Sequence, residues 1–209
     1  MSLASSDIKK QLRAEALARR NALDPVLRAE VALQLGHAND LLRIEPGTIV
    51  SGFWPMRSEL DLRPLMFRLI DSGMRVCLPA IIDKTTIVFR ELKRGAPLVD
   101  MGFGTRGPDG NAALLEPSVM LIPLAAFDAR GHRIGYGAGY YDRAIARLHA
   151  DGLSPRLVAA GFDCQEVARV PEAAHDVPLH QLLSDTGLRS FPLAARPPAY
   201  APINAFHAS

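Results

Sequence analysis

Cysteine is scarce in this 209-residue chain: Cys77 and Cys164 stand far apart and neither belongs to a C-x-x-C pair. A cytosolic protein with two reduced thiols, hence a cytoplasmic location, is the expectation. Charge of one sign is lacking too, with 24 Lys and Arg against 22 Asp and Glu, a net of +2, and no Lys/Arg block. That balance gives no electrostatic grip on nucleic acid, and no RNP-like motif supplies another. No apolar run approaches the roughly 20 residues that span a bilayer. The opening "MSLASSDIKKQLRAEALARR" has no apolar h-region. Neither a membrane partner nor a signal peptide is expected. Six scattered histidines without H-x-x-x-H spacing give no zinc signal, and His132 and His175 read as polar surface groups rather than ligands. There is no G-x-S-x-G, no paired Cys/His motif and no P-loop lysine, so no enzyme nucleophile presents itself.

What is present is an ordinary globular composition, 48% hydrophobic and 22% charged, long enough for one domain with a sizeable core. Ser5 or Ser6 can cap an opening helix that places Ile8, Leu12 and Ala16 on one face. A second helix is expected over 24–42, capped by Asp24 with Pro25 in its first turn. Strand 48–54, helix 62–73, strand 74–80 and strand 86–92 follow. A Gly/Pro-rich loop occupies 101–111. The apolar run "VMLIPLAAF", 119–127, reads as a central strand, with helix 140–152 and strand 156–162 after it. Strands that are continuous apolar runs alternating with helices imply a three-layer α/β/α fold around a mostly parallel sheet. The domain is expected to span 1–188. Residues 189–209, rich in Ala and Pro, read as an extended or poorly ordered appendage.

The stretch "IGYGAGYYDR", 134–143, carries the chemistry. Gly135, Gly137 and Gly139 between a strand and a helix expose several backbone N–H groups at the positive end of a helix dipole, a ready phosphate site. Glycine also admits oxygens where a Cβ would block them. It is not a Walker A loop, which needs Gly-Lys-Ser/Thr, nor G-x-G-x-x-G, since Tyr140 stands where the last glycine belongs. A tight loop serving only chain geometry remains the alternative. Asp142, in the first helical turn, either caps the helix or joins a phosphate through a divalent cation, because Mg²⁺ binds through one or two carboxylates plus phosphate oxygens.

At this point the sequence resembles the 5-formyltetrahydrofolate cyclo-ligase family, also called methenyltetrahydrofolate synthetases. "FDARGHRIGYGAGYYDR", 127–143, is similar to that family's signature, F-D-x-x-G-x-R-x-G-x-G-x-G-Y-Y-D. "KKQLR", 9–13, "FWPMRSELD", 53–61, and "VPEAAHD", 170–176, fall in the family's order, so the likeness runs from residue 9 to about 185. It departs at Leu124, where glycine is common, and at His180, where an acidic residue is frequent. The resemblance implies an α/β fold and the Mg²⁺-dependent conversion of 5-formyltetrahydrofolate and ATP to 5,10-methenyltetrahydrofolate, ADP and phosphate. The other reading is a non-catalytic folate- or nucleotide-binding protein on the same scaffold.

Roles follow from the matched motifs. Lys9, Arg13 and Tyr140 are assigned to catalysis. The ATP set is Lys9, Lys10, Arg13, Arg133, Ile134, Gly135, Tyr136, Gly137, Ala138, Gly139, Tyr140 and Tyr141, although Tyr141 also reads as packing into the sheet. Lys9 and Arg13, four apart, share one helical face, which in the plainer reading is solvated surface. Glu59 is the substrate-binding carboxylate, with Trp54 and Met56 as apolar walls and Tyr140 lining both ends; Trp54 as ordinary core competes, and Asp61 reads as a helix cap. Arg143 reaches a phosphate or makes a surface ion pair. Gly104, Thr105 and Arg106 form a segment able to fold over the folate. Asp142 and Asp176, 34 positions apart, are the metal pair. A monomer or weak dimer is expected.

Overall fold

The structure, a computed structural model, describes residues 3–102, 104–172 and 176–192. The elements in chain order are α1 (Leu3–Asn21), α2 (Pro25–Leu35), α3 (Asn39–Leu42), β1 (Ile49–Ser51), α4 (Arg63–Asp71), β2 (Arg75–Ile81), β3 (Ile87–Glu91), β4 (Leu98–Asp100), β5 (Arg106–Pro108), β6 (Val119–Pro123), β7 (Ala126–Phe127), β8 (Arg133–Ile134), α5 (Tyr140–Ala150), β9 (Arg156–Ala160), β10 (Gln181–Ser184) and β11 (Gly187–Ser190). Seven strands make one sheet in the order β11-β10-β9-β6-β1-β2-β3. The four inner pairings are parallel, and β11 and β3 are antiparallel edges.

Alternation along the strands builds the layers. Val50, Val76, Leu78, Leu121 and Val158 face a core completed by Leu35, Leu42, Leu65 and Leu69 of α2, α3 and α4. Cys77, Met120, Ile122, Leu157 and Ala159 point the other way, onto Ile145 and Leu148 of α5. The sheet is therefore covered on both faces, as its runs of buried residues require. Helix α1 lies elsewhere: Leu12 and Ala16 pack against Ala126, Ile134, Val167 and Val170 at the carboxyl edge of the sheet.

Several elements differ from the sequence-based expectation. The helix expected over 24–42 breaks at Gly36, where the chain tightens into 3-10 turns. Pro64 of α4 comes within 3.2 Å of where a Gly36 Cβ would stand. Strand β1 ends at Ser51, because Met66 fills the space beside Gly52; a Cβ there would lie 2.3 Å from its sulfur. The run 119–127 is two strands. After Pro123 the chain leaves the sheet, and Ala126–Phe127 pairs with Arg133–Ile134 in a hairpin, so the glycine stretch follows that hairpin and not the central strand. The sheet also runs past residue 188: β11 pairs with β10, and Phe191 is buried against Phe127. Residues 193–209 lie outside the described part, so most of the expected appendage does too.

Candidate functional site

Chain order reverses between β1 and β6: β1 leads outward to β2, and β6 to β9 and β10 on the other side. In open α/β sheets ligands gather beyond the carboxyl ends of the strands at such a switch point. The loop after β1 carries Glu59 and the connection after β6 carries the glycine turn, so both expected halves of the site rise from neighbouring strands.

The turn has the backbone its glycines allow. Gly137 (φ 103°) and Gly139 (φ 66°) are left-handed, a region that penalises any side chain. Gly135 is not left-handed, and a Cβ on it would meet nothing within 4 Å. The amides of Gly135 to Gly139 find no acceptor among the described residues. They open onto the N-terminus of α5, the arrangement that receives anions.

Helix α1 lays its basic face across this turn. Lys9, Arg13, Ala16 and Arg20 recur at intervals of three and four, hence on one stripe. Arg13 Nε donates to the Gly135 carbonyl at 2.8 Å. Lys9 Nζ pairs with Asp176 Oδ2 at 2.8 Å. Lys10 is exposed on the flank of that stripe. Arg133 donates to the Asp142 carboxylate through Nη2 and to the Val177 carbonyl through Nη1 at 2.9 Å. One guanidinium thus joins Asp142 to the residue after Asp176, bringing the 142 and 176 segments to one place.

The donor set suits a hard cation. Two carboxylates offer oxygens of the kind Mg²⁺ takes, and basic side chains beside them suit phosphate. Among the described residues no three His, Cys, Asp or Glu gather as a metal site.

Glu59 occupies the other end. It is 7% exposed; Oε2 accepts from the Met56 amide at 2.8 Å, and Oε1 has no partner among the described residues. Burial raises its pKa above the ordinary carboxyl value, against the opposing pull of Tyr136, the Met56 amide and Arg20. A buried carboxylate oxygen without a donor is costly in an apolar surrounding, and a donor-rich ligand edge relieves it. Trp54 is half-buried against the core, with Arg63 over its ring at 5.4 Å. Met56 is half-buried beside it. Asp61 is not the cap of α4, a position held by Leu62, but one residue before it accepts from the Arg63 amide at 2.9 Å and pairs with the Arg63 guanidinium.

Other expected residues sit differently. Tyr141 is half-buried against strand side chains on the α5 face, its hydroxyl without a partner among the described residues and its pKa raised by burial. Ile134 is core, leaving only its backbone for a ligand. Tyr140 is half-buried at the mouth of the turn, and exposed Ala138 accepts from Arg143. Among the described residues Arg143 makes no ion pair: it lies against the turn, donating to the carbonyls of Thr85 (2.5 Å) and Ala138 (2.6 Å) and so tying the turn to the β2–β3 connection. Gly104 and Thr105 lie in the turn of the β4–β5 hairpin and Arg106 opens β5, where its guanidinium donates to the Leu98 carbonyl at 2.8 Å. His132 pairs with Glu172 at 2.8 Å; His175 lies outside the described residues.

Sequence reasoning missed Arg20, Ser58 and Asp128, which hold the site from behind. Arg20 had a signal, lying seven residues after Arg13 on the same helical stripe. Ser58 and Asp128 had none beyond membership of matched motifs.

What the fold and site define is an α/β protein with a glycine turn of open amides at the switch point of its sheet. The family model "5-formyltetrahydrofolate cyclo-ligase family" matches residues 5–185. The 5-formyltetrahydrofolate cyclo-ligase of Escherichia coli K12 is 30% identical over 170 residues, 77% of this chain and 91% of that protein. The protein of the same name from Mycolicibacterium smegmatis is 30% identical over 184 residues, 84% and 93% of the two chains. The solution structure of Aquifex aeolicus 5,10-methenyltetrahydrofolate synthetase superposes with a TM-score of 0.70 at 23% identity, over 95% of this chain and all of that one. The chain belongs to the 5-formyltetrahydrofolate cyclo-ligase family and is an enzyme of that family.

Proposed function

We propose that the protein catalyses the ATP- and Mg²⁺-dependent cyclisation of 5-formyltetrahydrofolate to 5,10-methenyltetrahydrofolate, releasing ADP and phosphate. One observation carries the reading: the glycine turn meets Arg13 on one side, and through Tyr136 it meets the network around Glu59 on the other. A single loop therefore adjoins a cation-rich, amide-rich end and a buried carboxylate. Those two ends match a triphosphate and a pterin ring with its donor-rich edge.

The chemical obstacle is that an amide-like formyl oxygen leaves poorly. In the proposed sequence that oxygen attacks the γ-phosphorus and ADP departs, giving an imidoyl phosphate. The N10 nitrogen then attacks the formyl carbon, its proton is lost, and phosphate leaves as the five-membered ring closes. No protein nucleophile is needed. Glu59 would accept hydrogen bonds from the pterin, with Trp54 and Met56 against the ring. The free amides of the turn, Lys9 and Arg13 would hold the triphosphate in line and offset charge on the transferring oxygens. Asp142 and Asp176 would hold Mg²⁺, which when bound neutralises phosphate charge. Lys9 and Arg133, which pair with those carboxylates, are placed to turn to phosphate oxygens as the nucleotide arrives.

Incubation with 5-formyltetrahydrofolate and MgATP tests the proposal: the methenyl product's near-ultraviolet absorbance should grow in proportion to ADP formed. Binding of both ligands without that product would leave a non-catalytic binding protein instead. A narrower prediction concerns Gly135. Its Ala variant should keep the wild-type melting temperature, because the φ is not left-handed and the added methyl meets no protein atom. That methyl stands where phosphate would approach, so overpacking of about 1–3 kcal/mol should raise the KM for ATP roughly 5- to 150-fold. An unchanged KM for ATP places the phosphates elsewhere.

A further inference from the structure

Arg20 is 4% exposed, and among the described residues no carboxylate lies within ion-pair distance of it. Arginine is seldom buried so fully without a charged partner. Its partners are two hydroxyls: Nε donates to Ser58 Oγ at 3.0 Å and Nη1 to the Tyr136 hydroxyl at 2.7 Å. Ser58 in turn donates to Asn21 Oδ1. For stability alone this is a poor arrangement, since an apolar side chain of like volume would fill the space without desolvating a charge. The three elements joined are those that make the site: the basic stripe of α1, the loop that carries Glu59 and the glycine turn.

Resting on the folate reading of the Glu59 end, we infer that Arg20 is a positioning residue for substrate: its planar fork fixes Tyr136 and Ser58 relative to each other and so sets the orientation of the Glu59 carboxylate. The fork suits the task because its donors keep a rigid mutual geometry, which a lysine ammonium does not. The Tyr136 hydroxyl that accepts from Arg20 stands near Glu59 and favours its ionised form. The Met56 amide takes Oε2, leaving Oε1 for the ligand. Arg20 also supplies the nearby positive charge that favours the ionised form of this buried acid. Among the described residues it makes no ion pair or hydrogen bond to Lys9, Arg13, Asp142 or Asp176, and it holds the glycine turn only through the Tyr136 hydroxyl, on the side of the Glu59 network.

The test uses the full chain with Arg20→Met, Arg20→Lys, Tyr136→Phe and Glu59→Gln, scored by steady-state kinetics, calorimetric MgATP binding without folate, and melting temperature. Loss of a charge-assisted contact should raise the KM for 5-formyltetrahydrofolate by about tenfold or more in Arg20→Met. Its kcat should stay within roughly threefold and its MgATP affinity within about twofold of wild type on the same reasoning. Tyr136→Phe should show a like rise, and Arg20→Lys should recover the melting temperature but only part of the folate KM. If Arg20→Met proves too unstable to assay, Arg20→Lys and Tyr136→Phe carry the comparison. An unchanged folate KM in folded Arg20 variants, or equal shifts for folate and nucleotide, overturns the positioning role while leaving the folate reading intact. An unchanged folate KM in Glu59→Gln removes that reading itself, and the inference with it.

Discussion

Asp142→Asn should lower kcat by about 10²–10³, the 2.7–4 kcal/mol typical of one positioned electrostatic contact, with the melting temperature close to wild type. The amide is the informative replacement because of Arg133. That guanidinium is only 6% exposed and donates to Asp142 Oδ1, so it depends on an acceptor there. Asparagine keeps the acceptor oxygen and removes the charge that would draw a divalent cation. Alanine removes both and leaves Arg133 buried with only the Val177 carbonyl, so Asp142→Ala should lose stability as well as turnover. Comparing the two separates metal holding from scaffold. Turnover measured across a Mg²⁺ titration should show the Asn variant needing far more metal than wild type. Near-wild-type turnover of Asp142→Asn at ordinary Mg²⁺ would end the assignment of this carboxylate to the metal.

Much of the layout was legible because it is local. Continuous apolar runs with alternating faces predicted a parallel sheet covered on both sides, and Leu121 against Ile122 or Val158 against Ala159 bears that out. Three glycines between a strand and a helix predicted a turn of free amides. Lys9 and Arg13 fell on one face by helical spacing alone. Other features depend on contacts between distant segments. Nothing around residue 36 announces that Pro64 will press on it, and nothing around 52 that Met66 will, so the breaks in the second helix and the first strand could not be read. The first strand of the hairpin, Ala126–Phe127, is as buried as the Val119–Ile122 run before it, and burial without alternation does not show where a strand leaves one sheet for another. Arg20 was passed over because a basic residue late in a basic helix usually faces water. Its burial depends on the Tyr136 hydroxyl, 116 residues away.

Asp128 gives the second large effect, on stability. It follows Phe127 in the matched motif, and its side chain is 1% exposed. One oxygen accepts from the amides of Arg130 (3.0 Å) and His132 (3.2 Å); the other accepts from the Val170 amide (2.9 Å) and the Arg130 guanidinium (2.8 Å). A single carboxylate therefore closes the β7–β8 hairpin and pins the strand of chain that runs on toward Asp176. Asp128→Ala leaves those amides without an acceptor and should cost about 3 kcal/mol or more. For a chain of this length that is a fall of roughly 6–12 °C in melting temperature. Asparagine should not rescue it, because its amide group would face donors from Val170 and Arg130. The pH dependence has a definite sign. Burial alone would raise this pKa, but the Val170 amide, the Arg130 side chain and the Arg130 and His132 amides outweigh it, and the net shift is downward. A depressed pKa means the ionised form stabilises the fold fully above the unfolded value of about 3.9, and that stabilisation drains as pH falls through the folded value. Urea unfolding of wild type and Asp128→Ala should therefore differ most at neutral pH and converge below about pH 4. A gap that stays constant down to strong acid would show that the carboxylate's charge is not what holds the hairpin to the 170 segment.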